Sequence, residues 1–331
     1  MLIDSFGRTM DYLRVSVTDC CNLRCVYCMP SRQAGQQSRE SLLSSDEIIR
    51  VCGIFADLGI VKIKITGGEP LVRPGIAGLI RDIASIPGIR KVTLTTNGLL
   101  LGRFLDEAPF PSLGGINISL DALDENRYRL MTRQEGVKPV DIITLADRLL
   151  EKHVPVKINC VPVRGFNEDE IPALAALAKD KDINVRFIEL MPLGSGGSLQ
   201  FVPGNEIAAI LEKTFGKLEP YSGTLGNGPA VYYSLSGFTG KIGFINPVSH
   251  GFCETCNRLR LTPSGFLKLC LSTGSGLDIR KLLRSGISDD ELKKAIIETV
   301  AKKPHYHTLS GIYGAAPKAG QHSKGMYKIG G

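Results

Sequence analysis

No stretch of this 331-residue sequence stays apolar long enough to span a bilayer, and Met1-Leu-Ile-Asp-Ser-Phe-Gly-Arg8 lacks the apolar core of a secretory signal. A cytoplasmic location is the default expectation. There the nine cysteines stay reduced, which argues against a disulfide framework. No string of the form G-x-x-x-x-G-K-[ST] occurs, so any nucleotide is held by something other than a P-loop. The five histidines form no i,i+4 pair and no evident triad; His153, His305, His307 and His322 read as structural or surface residues. Formal net charge is +7, yet no long Lys/Arg block is present. The excess therefore points to a small polyanionic substrate rather than to nucleic acid. No internal repeat is apparent.

What the sequence does have is cysteine in two tight sets. Cys21, Cys25 and Cys28 form a C-x₃-C-x₂-C run directly after the extended segment 12–18. Cys253, Cys256 and Cys270 form the second set, while Cys20, Cys52 and Cys160 read as ordinary small side chains. Three closely spaced thiolates on one loop can ligate three irons of a [4Fe–4S] cube, leaving the fourth iron open. An open coordination position is where a metal site does chemistry rather than structure. Zinc is the alternative for each set: half a site with Cys20 as a fourth ligand for the first, or a Cys₃His site with His250 for the second. Beside the second set, Arg258 and Arg260 face the same side if that segment is a strand. Paired guanidiniums next to a metal centre suit an anion such as phosphate.

Hydrophobic content of 43% and charged content of 22% are ordinary for a globular chain with a large core. The length suggests two domains, although one α/β barrel with an appendage fits equally well. Strand patterns at 12–18, 62–66, 91–95, 115–120, 156–162 and 184–190 alternate with helical ones at 46–58, 75–86, 99–107, 139–152, 168–179 and 205–215. Six such alternations predict right-handed βαβ units and a parallel sheet. They are too few to close an eightfold barrel. The expectation is a partial, open (β/α)6 TIM-type barrel over residues 1–216, with a C-terminal α+β domain over 217–331. That second region carries antiparallel strands at 230–236 and 241–246, the second cysteine set, and a helix at 289–302 opened by the capping box Ser288-Asp-Asp-Glu291. From Gly311 the tail is Gly-, Ala-, Lys- and Ser-rich without periodicity, and is expected to be mobile in the absence of ligand. In parallel α/β folds function collects after the carboxyl ends of strands. The cysteine loop, Gly67-Gly68-Glu69-Pro70, Thr95-Thr-Asn97-Gly98, Ser119-Leu-Asp121 and Glu189-Leu-Met191-Pro192 all fall there. For Lys157, on the alternating Val156-Lys-Ile-Asn159, an inward charge would require a partner.

The C-x₃-C-x₂-C run resembles that of the radical S-adenosylmethionine (SAM) enzymes. Within them the chain resembles the GTP 3′,8-cyclase family of molybdenum-cofactor biosynthesis. The likeness runs from Leu13-Arg14-Val-Ser-Val-Thr-Asp19 through both cysteine sets and Arg258-x-Arg260 to the terminal Gly330-Gly331, essentially the whole chain. It implies two [4Fe–4S] clusters, one on each cysteine set, with SAM as the further cofactor. Tyr27, Gly68, Ser119 and Met191 would contact SAM, with Gly67-Gly68-Glu69-Pro70 supplying the amino-group site. Arg14, Lys64, Thr95, Lys157, Arg258 and Arg260 would contact GTP, whose guanine would sit at the open iron of the second cluster. Gly330 and Gly331 would reach between the clusters and assist the radical step. The reaction implied is reductive cleavage of SAM, hydrogen abstraction from ribose C3′ of GTP, and attack of that carbon on guanine C8. A flavodoxin- or ferredoxin-like electron donor and the cyclic pyranopterin monophosphate synthase are the implied protein partners of a monomer or homodimer, with no nucleic acid and no membrane. Two positions depart from the family: Cys20, usually arginine, and Lys64, commonly arginine, where lysine keeps the charge but loses the two-pronged geometry. A peptide-maturing radical SAM enzyme and a zinc-stabilised nucleic-acid-binding module are the alternative readings.

Overall fold

The computed structural model describes residues 1–30, 39–107, 113–307 and 325–329. Its frame is six parallel strands: β1 (Tyr12–Ser16), β2 (Lys62–Thr66), β3 (Lys91–Thr96), β4 (Ile116–Ser119), β5 (Val156–Cys160) and β6 (Ile183–Ile188). Strands of a parallel barrel ordinarily read as near-continuous apolar runs, because both faces are packed. These alternate instead, as Lys62-Ile-Lys-Ile-Thr66 does. One face carries Leu13, Val15, Ile63, Ile65, Val92, Leu94, Ile118 and Ile158, all buried in one continuous core with the helices. The other carries Arg14, Lys64, Thr93, Asn117, Lys157 and Arg186, and lines a cavity. The barrel interior is thus a chamber and not a plug of branched side chains.

Helices α1 (Ser45–Asp57), α2 (Ile76–Ala84), α3 (Leu101–Glu107), α4 (Glu125–Thr132), α5 (Pro139–Glu151), α6 (Ile171–Ala176) and α7 (Gly204–Phe215) follow the strands. The capping box Ser44/Glu47 opens α1, its side chains and backbone N–H groups bonding reciprocally. Two departures from the sequence pattern have clear causes. The helix expected over 168–179 is shorter, because Pro172 sits in the first turn of α6 and the residues before it form a 3₁₀ turn. An extra helix, α4, precedes α5; it buries only Tyr128, Met131 and Thr132, too few apolar positions to give a periodic signal.

Beyond residue 217 come β7 (Glu219–Pro220), β8 (Val231–Ser234), β9 (Ile242–Ile245), β10 (Arg258–Leu261), β11 (Phe266–Lys268), β12 (Gly276–Asp278), α8 (Ile279–Arg284) and α9 (Asp289–Val300), the last opened by the Ser288/Glu291 capping box. These strands continue the barrel sheet at both edges. The order is β12-β11-β10-β1-β2-β3-β4-β5-β6-β9-β8-β7, twelve strands in an open sheet. β10 pairs parallel with β1 and β9 parallel with β6, so the parallel sense extends one strand past the six at each side before antiparallel partners end it. Register then aligns Arg260, Arg14, Lys64 and Thr93 in one row across β10, β1, β2 and β3.

Most of the tail from Gly311, including His322, Gly330 and Gly331, lies outside the described residues. The described part, Gly325–Ile329, is packed. Tyr327 and Ile329 are buried, and Ile329 sits with Leu193, Met191 and Leu271.

Candidate active site in the barrel chamber

The first cysteine loop is held from three sides. At the end of α4 the carbonyls of Met131 and Thr132 accept from the backbone N–H groups of Val26 (2.9 Å) and Arg24 (3.0 Å). Arg133 closes that helix in the left-handed region (φ 55°) and donates through Nη1 to the carbonyl of Met29 at 3.2 Å. From the β2 side, Gly68 N donates to Thr18 O and Glu69 N to Cys20 O, each at 2.7 Å. A Cβ at Gly68 would overlap the Cys20 carbonyl, so the glycine serves backbone-to-backbone approach. On the third side Tyr27 donates its hydroxyl to Asp121 Oδ2 at 2.7 Å, and Asp121 Oδ1 accepts from Val161 N at 2.9 Å.

Glu69 does not present a spare carboxylate. Oε1 accepts from Leu71 N (3.0 Å) and Thr96 Oγ1 (2.7 Å), and Oε2 from Asn97 N (2.7 Å). It therefore ties the loops after β2 and β3 together. Burial drives its pKa up to about 7, against the pull of those three donors. Asp121 is raised to about 6 for the same reason.

The three thiols are pushed upward too. Burial is the main cause for each, reinforced by Asp121 and the other two cysteines at Cys25, and by Cys21 at Cys28, which reaches about 12. Sulfur so concentrated fits a cationic metal cluster, which would hold the thiols deprotonated. Among the described residues no three His, Cys, Asp or Glu side chains converge on a single-ion site. His250 does not line the chamber; its ring meets Ser249 Oγ at 3.0 Å.

All six cysteines of the two sets line one cavity of about 940 Å³. Cys21, Cys25 and Cys28 follow the carboxyl end of β1. Cys253 and Cys256 precede β10, whose first residue pairs with Tyr12 at the amino end of β1, and Cys270 follows the antiparallel β11. The sets therefore lie toward opposite ends of the strands, and the Arg260–Arg14–Lys64 row runs between them. Burial is the leading cause of the lowered pKa values along this wall, with like charges adding to it. Lys64 and Arg260 lie well below their usual values, Lys62 falls to about 8 and Lys157 to about 7. Cys256 goes the other way: burial would raise it, but Arg258 and Lys303 outweigh that and bring it to about 7.

The chamber gathers Tyr27, Gly68, Ser119 and Met191 at the first cysteine loop, and Arg14, Lys64, Thr95, Lys157, Arg258 and Arg260 along the strands. Two wall residues were not singled out from the sequence. Arg186 donates from Nε to Asn159 Oδ1 at 2.8 Å and from Nη2 to Asn117 Oδ1. Lys62 donates to Asn227 Oδ1 at 2.6 Å. The available signal was period-two alternation: Arg186 shares a face with Asn184, and Lys62 with Lys64. Lys157 donates to Leu225 O and, at 3.3 Å, to Tyr232 Oη.

Two family models divide the chain between the cysteine sets: radical SAM superfamily over residues 15–178 and Molybdenum Cofactor Synthesis C over 183–309. A curated GTP 3′,8-cyclase of Clostridium perfringens is 44% identical over 328 residues, covering 99% of both chains. The chain belongs to the GTP 3′,8-cyclase family. A second member, from Syntrophomonas wolfei, is 41% identical and is covered completely, as is this chain. Among solved structures, Streptococcus suis SuiB bound to S-adenosylmethionine is similar in fold, with a TM-score of 0.60 at 16% identity over 89% of this chain and 68% of that one.

Proposed function

We propose that this chain converts GTP to 3′,8-cyclo-7,8-dihydro-GTP, the first step of molybdenum-cofactor biosynthesis, as a radical SAM lyase with two [4Fe–4S] clusters. The observation that carries the reading is the chamber: a cysteine set toward each end and an inward row of cations between. Cys21, Cys25 and Cys28 hold the catalytic cluster, and Cys253, Cys256 and Cys270 the second. When bound, the first cluster supplies one-electron reductive cleavage of SAM, which is the source of the radical chemistry. Tyr27, Gly68, Ser119 and Met191, from the loops at the carboxyl strand ends, hold SAM against that cluster. Arg14, Lys64, Thr95, Lys157, Arg258 and Arg260 bind GTP along the wall, their charge matched by a triphosphate. Their work is orientation of the ribose towards SAM and exclusion of water, so that the reacting atoms meet within one enclosed space.

The cations that distinguish the chain point into the chamber, which favours an enclosed anion over a nucleic-acid surface. No helix among the described residues is long and apolar enough to cross a membrane. A cytoplasmic monomer or homodimer, reduced by a flavodoxin- or ferredoxin-like carrier and feeding the cyclic pyranopterin monophosphate synthase, completes the reading. The test is anaerobic incubation of the iron-loaded chain with SAM, GTP and a chemical reductant. The expected products are the 3′,8-cyclised nucleotide and 5′-deoxyadenosine. Replacing Cys21, Cys25 and Cys28 together by Ala is expected to halve the iron and end 5′-deoxyadenosine formation. Continued formation from that variant would refute the assignment of the catalytic cluster.

A further inference from the structure

The two cysteine sets differ in the charged groups that act on them. Near the first, the buried carboxylates of Glu69 and Asp121 act on Cys21 and Cys25. Hydrogen bonds to Cys21 Sγ come from neutral donors, Leu23 N at 3.4 Å and Asn97 Nδ2 at 3.9 Å. Arg24 donates through Nη1 to the Cys21 carbonyl at 2.6 Å and is also felt there, but less than Glu69. At the second set Arg8, Arg258 and Lys303 bring positive charge to the cysteines. Arg258 Nη2 donates to Cys256 Sγ at 3.9 Å, and Arg8 donates to the Cys253 carbonyl at 2.7 Å. Arg8 is largely neutralised by Asp4, whose Oδ2 is 2.7 Å from its Nε.

Lys303 is not neutralised in that way. It is 3% exposed, and its Nζ donates to the carbonyls of Arg258 (2.9 Å) and Leu269. Those carbonyls belong to the two segments that carry Cys256 and Cys270. Among the described residues no carboxylate pairs with it; the anionic groups acting on it are the two cysteines themselves. A buried ammonium without a carboxylate is costly unless something else balances it. A cube on three thiolates carries net negative charge, and gains one more when reduced.

We propose that Lys303 is the tuning residue of the second cluster, joining the segments that carry Cys256 and Cys270 and making that cluster easier to reduce than the one at Cys21, Cys25 and Cys28. Net charge and hydrogen bonds to sulfur are the levers that set such potentials. The step is one-electron uptake by the cluster from an external carrier, with Lys303 staying protonated throughout. It rests on the reading that Cys253, Cys256 and Cys270 hold a cluster.

The experiment is a potentiometric titration of the full iron-loaded chain with dithionite, followed by electron paramagnetic resonance. The signal of the second cluster is identified in the variant lacking Cys21, Cys25 and Cys28. In the wild-type chain the second cluster is expected to titrate at the higher potential. Lys303→Gln should move its midpoint to more negative potential and leave the first cluster's midpoint in place, while Lys303→Arg should restore it. A second cluster that titrates at or below the first in the unaltered chain overturns the proposal, whether or not the variants assemble. So does a midpoint that Lys303→Gln leaves unmoved. Absence of any second cluster by iron and sulfide content would instead overturn the cluster assignment, and the proposal with it.

Discussion

Lys157 has its pKa lowered to about 7 and Lys62 to about 8, chiefly by burial and then by the surrounding cations. Both are therefore only partly charged in weakly alkaline solution. A bound polyanion favours the charged form, so binding draws a proton onto each lysine that has lost one. The sign follows: affinity for GTP is full below about pH 7 and falls as pH rises through about 7 and then about 8, by up to about tenfold per pH unit for each lysine that deprotonates. Lys157→Arg should flatten the first part of that fall, since guanidinium stays charged. Equilibrium binding measured between about pH 6 and about pH 9 decides it. Affinity that is flat or rises over that span would contradict the placement of the triphosphate on this wall. Such residues were only partly legible beforehand. Lys157 stands out because its strand alternates cleanly; Arg186 sits on an equally alternating strand, but alternation alone does not say which face of that strand is the barrel's inner one. Glu69 was legible as a carboxylate beside two glycines, but its burial and its engagement by Leu71, Thr96 and Asn97 depend on contacts between loops that no local pattern encodes.

Between strands and loops, the decisive contacts are backbone to backbone. The loop after β2 lies against the first cysteine loop through Gly68 N to Thr18 O and Glu69 N to Cys20 O, and this closeness excludes a side chain at Gly68. Gly68→Ala should push the two loops apart and cost the first cluster, so that bound iron falls by about half while the second cluster's signal persists. The matching control is Gly53→Ala: Gly53 lies inside α1 with nothing within 4 Å of an added Cβ. That change should stabilise the chain by about 0.5–1 kcal/mol and leave iron content unchanged. Iron assay and denaturant midpoints read both outcomes, and full iron in Gly68→Ala would show the loops to be more yielding than the contact implies. The six barrel strands and the capped starts of α1 and α9 were legible because their signals are local. The role of α4 was not: the carbonyls at its end fix the cysteine loop, but its sequence buries too little to announce a helix. Nor was it legible that β10 and β9 would join opposite edges of the same sheet, since pairing between segments some 250 residues apart, such as Arg258 with Tyr12, leaves no trace in either segment alone.

Across the whole molecule, the sheet edge that carries the second cysteine set is built from the end of the chain and lies beside β1, which leads into the first set. That arrangement encloses the reaction chamber with residues from both termini. The tail returns to it. Met326 and Tyr327 line the cavity, Ile329 is 4% exposed against Leu193, and a Cβ at Gly325 would lie 2.8 Å from the carbonyl of Cys28. Ile329 is thus an anchor beside the chamber-lining Met326 and Tyr327, immediately ahead of Gly330 and Gly331. Two residues without side chains add little binding surface, yet on a fixed anchor they can fill a narrow space and hold a reactant in place. Their proposed contribution is therefore to the geometry of the radical step and not to affinity. Deleting Gly330 and Gly331 should leave iron content and GTP affinity as they are, because the wall cations and both cysteine sets remain. Cyclised product should fall by roughly 100-fold, the scale at which a small misplacement of reacting groups is felt. 5′-Deoxyadenosine should still form, so that SAM cleavage runs uncoupled from cyclisation. Anaerobic turnover that counts both products, with GTP binding measured on the same preparation, separates the cases. A parallel loss of GTP affinity would make the tail a binding element, and an unchanged product yield would remove it from the chemistry altogether.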